Sequence, residues 1–440
     1  MVIFYCVFLL LLGLVVYKSH SKYLYHYLLI WMCFGPVVIN VFFTIKTEYY
    51  NIFTWIIYLG YIIALDTIVK RGFGNKWNKR VLYLIIILVV YYTSLSFLRG
   101  TSMISSLKYI TGHVAFLFFL CLISLIKHDV RSLMKLIKKI VYIELILALL
   151  QPYTDLLNFH AALHGDGVMT TFVNGTFIRN NIFVEFMTPL VMILLYYDYK
   201  INNKIKIGNI ILVCVGLYVT YNSGVRTATI AIFPIILIFL YYRLESVFKF
   251  KTKRGRVVAL LISSSIFYMG YSFINQIAKD TGVTYTQNAT DSSERQTVLL
   301  SMLNDEDFAE EQTTLGLSFV VLSTFWENPF IGSGKLLQGK GYGGFISIDA
   351  GNETDATLAI YLCETGVIGV VFLFFIYFTI IYKVGNDYML TKLIFIYLLI
   401  VTISDPGIFF IGNMILLFIS ISVCNHLQSQ GLLKIIKKGY

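Results

Sequence analysis

What most constrains this chain is a recurring apolar stretch, about 16–23 residues long, set between shorter polar connections. Roughly 20 residues of helix cross a bilayer. Hydrocarbon offers backbone groups no partner but one another, so spanning segments must be helices or the strands of a closed barrel. The sequence lacks the short alternating segments of a barrel, which selects helices. Hydrophobic residues make up 58% and charged residues 13%, whereas a soluble domain is nearer half apolar and a quarter charged. Spans are expected near 2–17, 24–45, 50–69, 81–97, 108–126, 136–151, 182–198, 208–221, 227–242, 257–277, 365–382, 390–404 and 407–424. The expected fold class is all-α: a polytopic transmembrane helical bundle of about 12–13 spans, with one large extracytoplasmic loop containing short helices. The first stretch has no basic segment before it and no small-residue cleavage site, so it reads as a retained helix.

The charge of +11 would suit an anionic partner, but the positions of the basic residues give a simpler account. Connections 18–23, 70–80, 127–139, 199–207, 243–256 and 383–392, with a tail carrying Lys434, Lys437 and Lys438, hold most of the 35 Lys and Arg. They alternate with poorly charged connections, the pattern of the positive-inside rule. They are therefore expected on the cytoplasmic side, with no nucleic-acid partner. Six cysteines lie in or beside apolar stretches without metal-ligand spacing and read as packing residues.

Two outside segments exceed what a connection needs: 152–181 and, above all, 279–356. The chain thus divides into 1–278 with spans one to ten, the extracytoplasmic loop 279–356, and 357–440 with spans eleven to thirteen and the basic tail. In the large loop, Asp291-Ser292-Ser293-Glu294 has the form of a capping box opening a helix that holds Arg295. Pro329, Gly332 and Gly334 mark irregular backbone further on.

Because the outside positions are mostly uncharged or acidic, the few basic ones stand out. Arg226 lies in Asn222-Ser223-Gly224-Val225-Arg226-Thr227-Ala228, opening a span. A cation there opposes the helix dipole unless an anion shares the site; otherwise it binds lipid headgroups. Arg179 precedes the seventh span, and Arg295 sits on the loop helix. Three such arginines suit a diphosphate, while each alone would serve in a structural ion pair. Glu353 and Asp355 at the end of the large loop, and Glu364 one turn into the helix that follows, are the carboxylates close to the membrane surface and available for acid–base work; capping of the following helix explains Asp355 equally well. Asp305-Glu306-Asp307 lies in an acidic run and reads as a solvated face. His160 and His164 have a zinc-compatible spacing but no third ligand beyond Asp166, so no metal is expected.

Three pieces of this pattern resemble the bacterial O-antigen polymerase (Wzy) and O-antigen ligase superfamily. Asn174-Gly-Thr-Phe-Ile-Arg-Asn-Asn resembles its G-x-F-x-x-N segment before a membrane helix. Asn222-Ser-Gly-Val-Arg-Thr-Ala resembles its S-R-x-A turn. Trp326-Glu-Asn-Pro-Phe-Ile-Gly-Ser-Gly and then Asp355 to Gly369 resemble its N-P-x-x-G-x-G and H-N…E-x-G-x-x-G series, with Asp355 where the family often has His. The resemblance runs from about Phe172 to Val371. It implies a cofactor-free, metal-independent glycosyltransferase of the bacterial cytoplasmic (inner) membrane with an extracytoplasmic active site. Such an enzyme polymerises lipid-linked oligosaccharide repeat units of an O-antigen, capsule or exopolysaccharide from an undecaprenyl diphosphate donor. Arg226, Arg295 and Arg179 would hold the diphosphate, and Asp355 or Glu353 would orient or deprotonate the acceptor hydroxyl. The partners implied are that lipid-linked oligosaccharide, membrane lipid, and flippase and chain-length regulator proteins. A ligase passing finished polymer to a final acceptor is the nearest alternative; a flippase would favour repeated halves and mid-membrane charge.

Overall fold

The computed structural model describes residues 2–39, 54–98, 114–151, 175–177, 180–202, 207–222, 325–326, 328–332, 344–345, 353–354, 357–402 and 407–433. Helices dominate them: α1 Val2–His20, α2 Leu24–Val37, α3 Thr54–Arg71, α4 Lys76–Leu98, α5 Phe116–Ile123, α6 Val130–Leu150, α7 Asn180–Asn202, α8 Ile207–Asn222, α9 Thr357–Thr379, α10 Met389–Val401 and α11 Ile411–Ser429. A two-residue antiparallel ladder, β1 Gly344–Phe345 with β2 Glu353–Thr354, lies in the segment expected to carry short helices. The capping-box helix and the spans expected at 227–242 and 257–277 lie outside the described residues.

By length and composition, five helical stretches among the described residues can cross a membrane: Ile3–Val37, Lys76–Leu98, Asn181–Asn202, Tyr361–Val384 and Ile411–Ser429. The first is 35 residues long, about 50 Å if straight and well beyond the ~30 Å of hydrocarbon. It folds back on itself instead. The turn Ser21–Tyr23 lets the Tyr5 hydroxyl donate to the Gly35 carbonyl (3.2 Å) and Tyr27 to that of Leu9 (2.5 Å), locking α1 antiparallel to α2. Two of the expected spans therefore form a hairpin. Elsewhere glycine permits close helix approach, as small residues do in membranes: a Cβ on Gly60 of α3 would stand 2.9 Å from the Phe116 ring of α5.

The basic connections meet at one end of the bundle. The Asp129 N–H donates to the Lys22 carbonyl, Arg71 donates to the Leu125 carbonyl, and the Lys383 ammonium stands 5.0 Å over the Trp77 ring. The Asp129 carboxylate caps α6 by accepting the Ser132 N–H at 3.1 Å. His128 stacks on Tyr25, ring centroids 4.0 Å apart, with Nε2 3.2 Å from the Ile123 carbonyl. The segments 18–23, 70–80, 127–139 and 383–392, grouped by charge alone, are thus grouped in space.

At the opposite end the turn at Gly175 is clasped by side chains from α6 and from Gln151, the residue that caps this helix. The Gln151 amide both donates to the Gly175 carbonyl (2.8 Å) and accepts its N–H (2.9 Å). Glu144, fully buried, accepts the Thr176 N–H at 2.9 Å. The Thr176 hydroxyl lies 2.5 Å from Glu144 and 2.8 Å from the Cys33 carbonyl, with one proton between two acceptors.

Two measurements check this account. Thr176→Val keeps the shape and removes a donor from a buried carboxyl, which should cost about 1–3 kcal/mol; thermal unfolding in detergent should show a lower Tm. Burial pushes the His128 pKa from its ordinary 6.5 down to about 4. The unfolded chain then takes up the proton first as pH falls. The stability contributed by the neutral ring is complete above pH 6.5 and is lost between there and about pH 4. Tm against pH should fall across that window, and less steeply in His128→Phe, which keeps the stack.

Candidate functional site

Helix α9 begins at Thr357, eight residues earlier than the expected span at 365, and is interrupted within it. Gly366 has φ 65° and ψ −173°, a region essentially open to glycine alone. An interruption leaves carbonyls without partners on one side and N–H groups on the other. Both sets are satisfied here by groups distant in sequence. The Val367 N–H donates to the Pro329 carbonyl (2.9 Å) and the Ile368 N–H to that of Phe330 (3.2 Å). On the other side the Tyr91 hydroxyl of α4 lies 2.9 Å from the Thr365 carbonyl and 2.8 Å from that of Ile331, sharing one proton between them.

The segment Asn328 to Gly332 is thereby docked into the break, and two glycines make the approach possible. A Cβ on Gly332 (φ 81°) would stand 2.5 Å from the Glu364 carbonyl and from the Gly366 nitrogen, and one on Gly366 would collide with the Phe330 carbonyl. Asn-Pro-Phe-Ile-Gly and Glu-Thr-Gly, both singled out in the sequence, are in direct backbone contact.

Glu364 sits immediately before the break. It lies two turns into α9, not one, and is fully buried rather than near a surface. The Tyr92 hydroxyl donates to its Oε2 at 3.0 Å. Consecutive tyrosines of α4 therefore serve one site, Tyr91 holding the backbone and Tyr92 the carboxyl. A second buried carboxyl, Glu185 of α7, accepts the Gly407 N–H (3.0 Å) and the Asn413 amide (3.1 Å) from the turn and helix that close the bundle. The Tyr377 hydroxyl of α9 donates to the adjoining Ile408 carbonyl at 2.8 Å.

Glu144, Glu185 and Glu364 are the fully buried acidic residues among the described ones, and all three lie toward the end of the bundle opposite the basic connections. Burying a carboxyl is costly unless donors surround it, so such residues in apolar helices mark sites worth attention. Sequence reasoning singled out Glu364 and missed Glu144, Glu185, Tyr91 and Tyr92. Single acids inside otherwise apolar stretches were the available signal for the first two.

Of the other sequence candidates, Glu353 is described by its backbone, in register with Phe345 across the ladder. Arg179, Arg226, Arg295 and Asp355 lie outside the described residues, as do Asp305 to Asp307 and His160, His164 and Asp166. The fold thus brings Glu364 together with the Asn328 to Gly332 segment. Comparison with protein-family models, with curated proteins and with solved structures finds no match to this chain.

Gly366→Ala forces a non-glycine residue into this backbone conformation, at about 1–3 kcal/mol, and drives its methyl group into Phe330. The variant should show a lower Tm and faster protease cleavage within 279–356. Gly216→Ala in α8, where the added methyl meets nothing within 4 Å, should match the parent chain in both measurements.

Proposed function

We propose that the chain polymerises lipid-linked oligosaccharide repeat units, transferring glycan from a polyprenyl diphosphate donor to a lipid-linked acceptor. The observation that carries this reading is the docking of Asn328 to Gly332 into the break of α9. It unites two sequence pieces that resemble the O-antigen polymerase and ligase superfamily at one buried carboxyl. The apolar helices supply the membrane setting that a lipid-linked donor needs.

In this reading the acceptor hydroxyl oxygen attacks the anomeric carbon of the donor sugar. The bond from that carbon to the diphosphate breaks, and the lipid diphosphate leaves with the electron pair. Arg226, Arg295 and Arg179 hold the diphosphate and stabilise its growing charge, as guanidinium groups do for phosphates. Asp355 or Glu353 takes the hydroxyl proton as the new bond forms. Glu364 has a different part. Held by Tyr92 and buried beside the docked segment, it is a positioning residue at the joint between that segment and α9. No nucleotide is needed, because the activated bond is already present in the donor.

The test is surface polysaccharide from a strain deleted for the chain, complemented with each variant and resolved on a gel. Arg226→Ala and Arg295→Ala should insert at parental levels and leave single repeat units on lipid. Normal polymer length in both would overturn the diphosphate assignment. Accumulated long polymer on the carrier would mark a ligase instead, and carrier build-up on the cytoplasmic side a flippase.

A further inference from the structure

The described residues Phe325, Trp326 and Asn328 to Gly332 combine two properties that rarely occur together in a loop. Three of their side chains are apolar and open: Trp326 is 73% exposed, Phe330 71% and Ile331 49%. The backbone carbonyls from Asn328 to Ile331 are nevertheless all used. Asn328 accepts from the Gly332 N–H at 2.8 Å, Pro329 from Val367, Phe330 from Ile368 and Ile331 from Tyr91. The Asn328 N–H donates to the Phe325 carbonyl (3.1 Å), and Pro329 has no N–H to satisfy.

A loop in water has no need of this, because water bonds its free carbonyls at little cost. In hydrocarbon an unsatisfied backbone group costs several kcal/mol, and irregular backbone survives there only where protein groups pair it. The position of the segment agrees. Ile368, which holds the Phe330 carbonyl, lies seven residues inside the apolar stretch Tyr361–Val384, roughly 10 Å along the helix from its start. Val367, Ile368, Val371 and Phe375 give α9 exposed apolar side chains, and the Ile368–Phe330 bond sets the exposed Phe330 beside them.

We infer that Asn328 to Gly332 is a re-entrant element seated in the bilayer, with Phe330 and Ile331, and Trp326 just before them, packed against phospholipid acyl chains. The occupant of this surface is lipid hydrocarbon, since the surface extends one that α9 already turns outward, and the carbonyls from Asn328 to Ile331 are already paired. The inference depends on the membrane setting alone and stands whether or not the chain is a polymerase.

Trp326 supplies the probe. The full chain with Trp31→Phe, Trp55→Phe and Trp77→Phe retains it as the single tryptophan and is reconstituted into phosphatidylcholine vesicles. Phospholipid brominated on the acyl chain should quench most of the emission, while aqueous iodide should leave it unchanged. Quenching by iodide would place the segment in water and overturn the inference. Quenching by neither would mean that other parts of the protein cover it, which overturns it equally. As a check in a background keeping every tryptophan and with the six native cysteines replaced by alanine, Phe330→Cys should resist a membrane-impermeant maleimide until detergent is added. Rapid labelling in intact vesicles would count against lipid burial.

Discussion

An apolar medium allows no unpaired backbone, and the described structure is organised around meeting that demand where a helix breaks. Gly366 interrupts α9, and the break could not persist without Pro329, Phe330 and Tyr91 to take its free groups. The dependence is mutual, since the loop segment is held by the same bonds. Glycine on both sides makes the contact possible: a Cβ at either Gly332 or Gly366 would drive the two backbones apart. Glu364 then takes its place as a buried carboxyl beside the joint rather than a group on an open surface.

The two ends of the bundle solve different electrostatic problems. At the basic end, charges stay near water and bond in pairs of modest worth, such as Lys70 with Asp66 and Lys392 with Asp387. At the other end the carboxyls are buried and held by neutral donors: Thr176 for Glu144, Gly407 and Asn413 for Glu185, Tyr92 for Glu364. Each fastens a helix to a turn or to a neighbouring helix at that end. A polar group that costs energy to bury fixes geometry well, because every displacement strips it of a donor.

Much of this was legible in the sequence. The apolar stretches announced the helices, and the charge pattern correctly grouped the connections that meet around Asp129, Trp77 and Lys383. The Asn-Pro-Phe-Ile-Gly and Glu-Thr-Gly pieces, noted separately, prove to touch. The break was hidden for a physical reason. Gly366 lies in a long apolar run, where hydropathy is continuous whether or not the backbone is, and its conformation is set by a partner more than thirty residues away. Helix α9 runs ahead of the apolar span expected at 365, because Tyr361 and Glu364, polar in the sequence, are buried in the assembled bundle. Tyr91 and Tyr92 carry no mark in the sequence that separates them from the chain's other tyrosines, although their hydroxyls have specific partners. Glu144 and Glu185 have no charged neighbour in the sequence to mark them, each being a single acid held by amides and hydroxyls.

The joint at Gly366 also has a bearing on biosynthesis. Tyr91 and Tyr92 enter the membrane with the first quarter of the chain, but their partners Ile331, Glu364 and Thr365 emerge some 240 to 274 residues later. Until then α4 carries hydroxyls whose final acceptors do not yet exist, and the early helices cannot reach their finished arrangement. The docked segment emerges before the helix it completes, so it too must wait. Helix α9 is therefore the keystone of assembly: its arrival satisfies α4 and the loop in one step, and a nascent chain stalled ahead of it presents quality-control machinery with polar groups stranded in lipid.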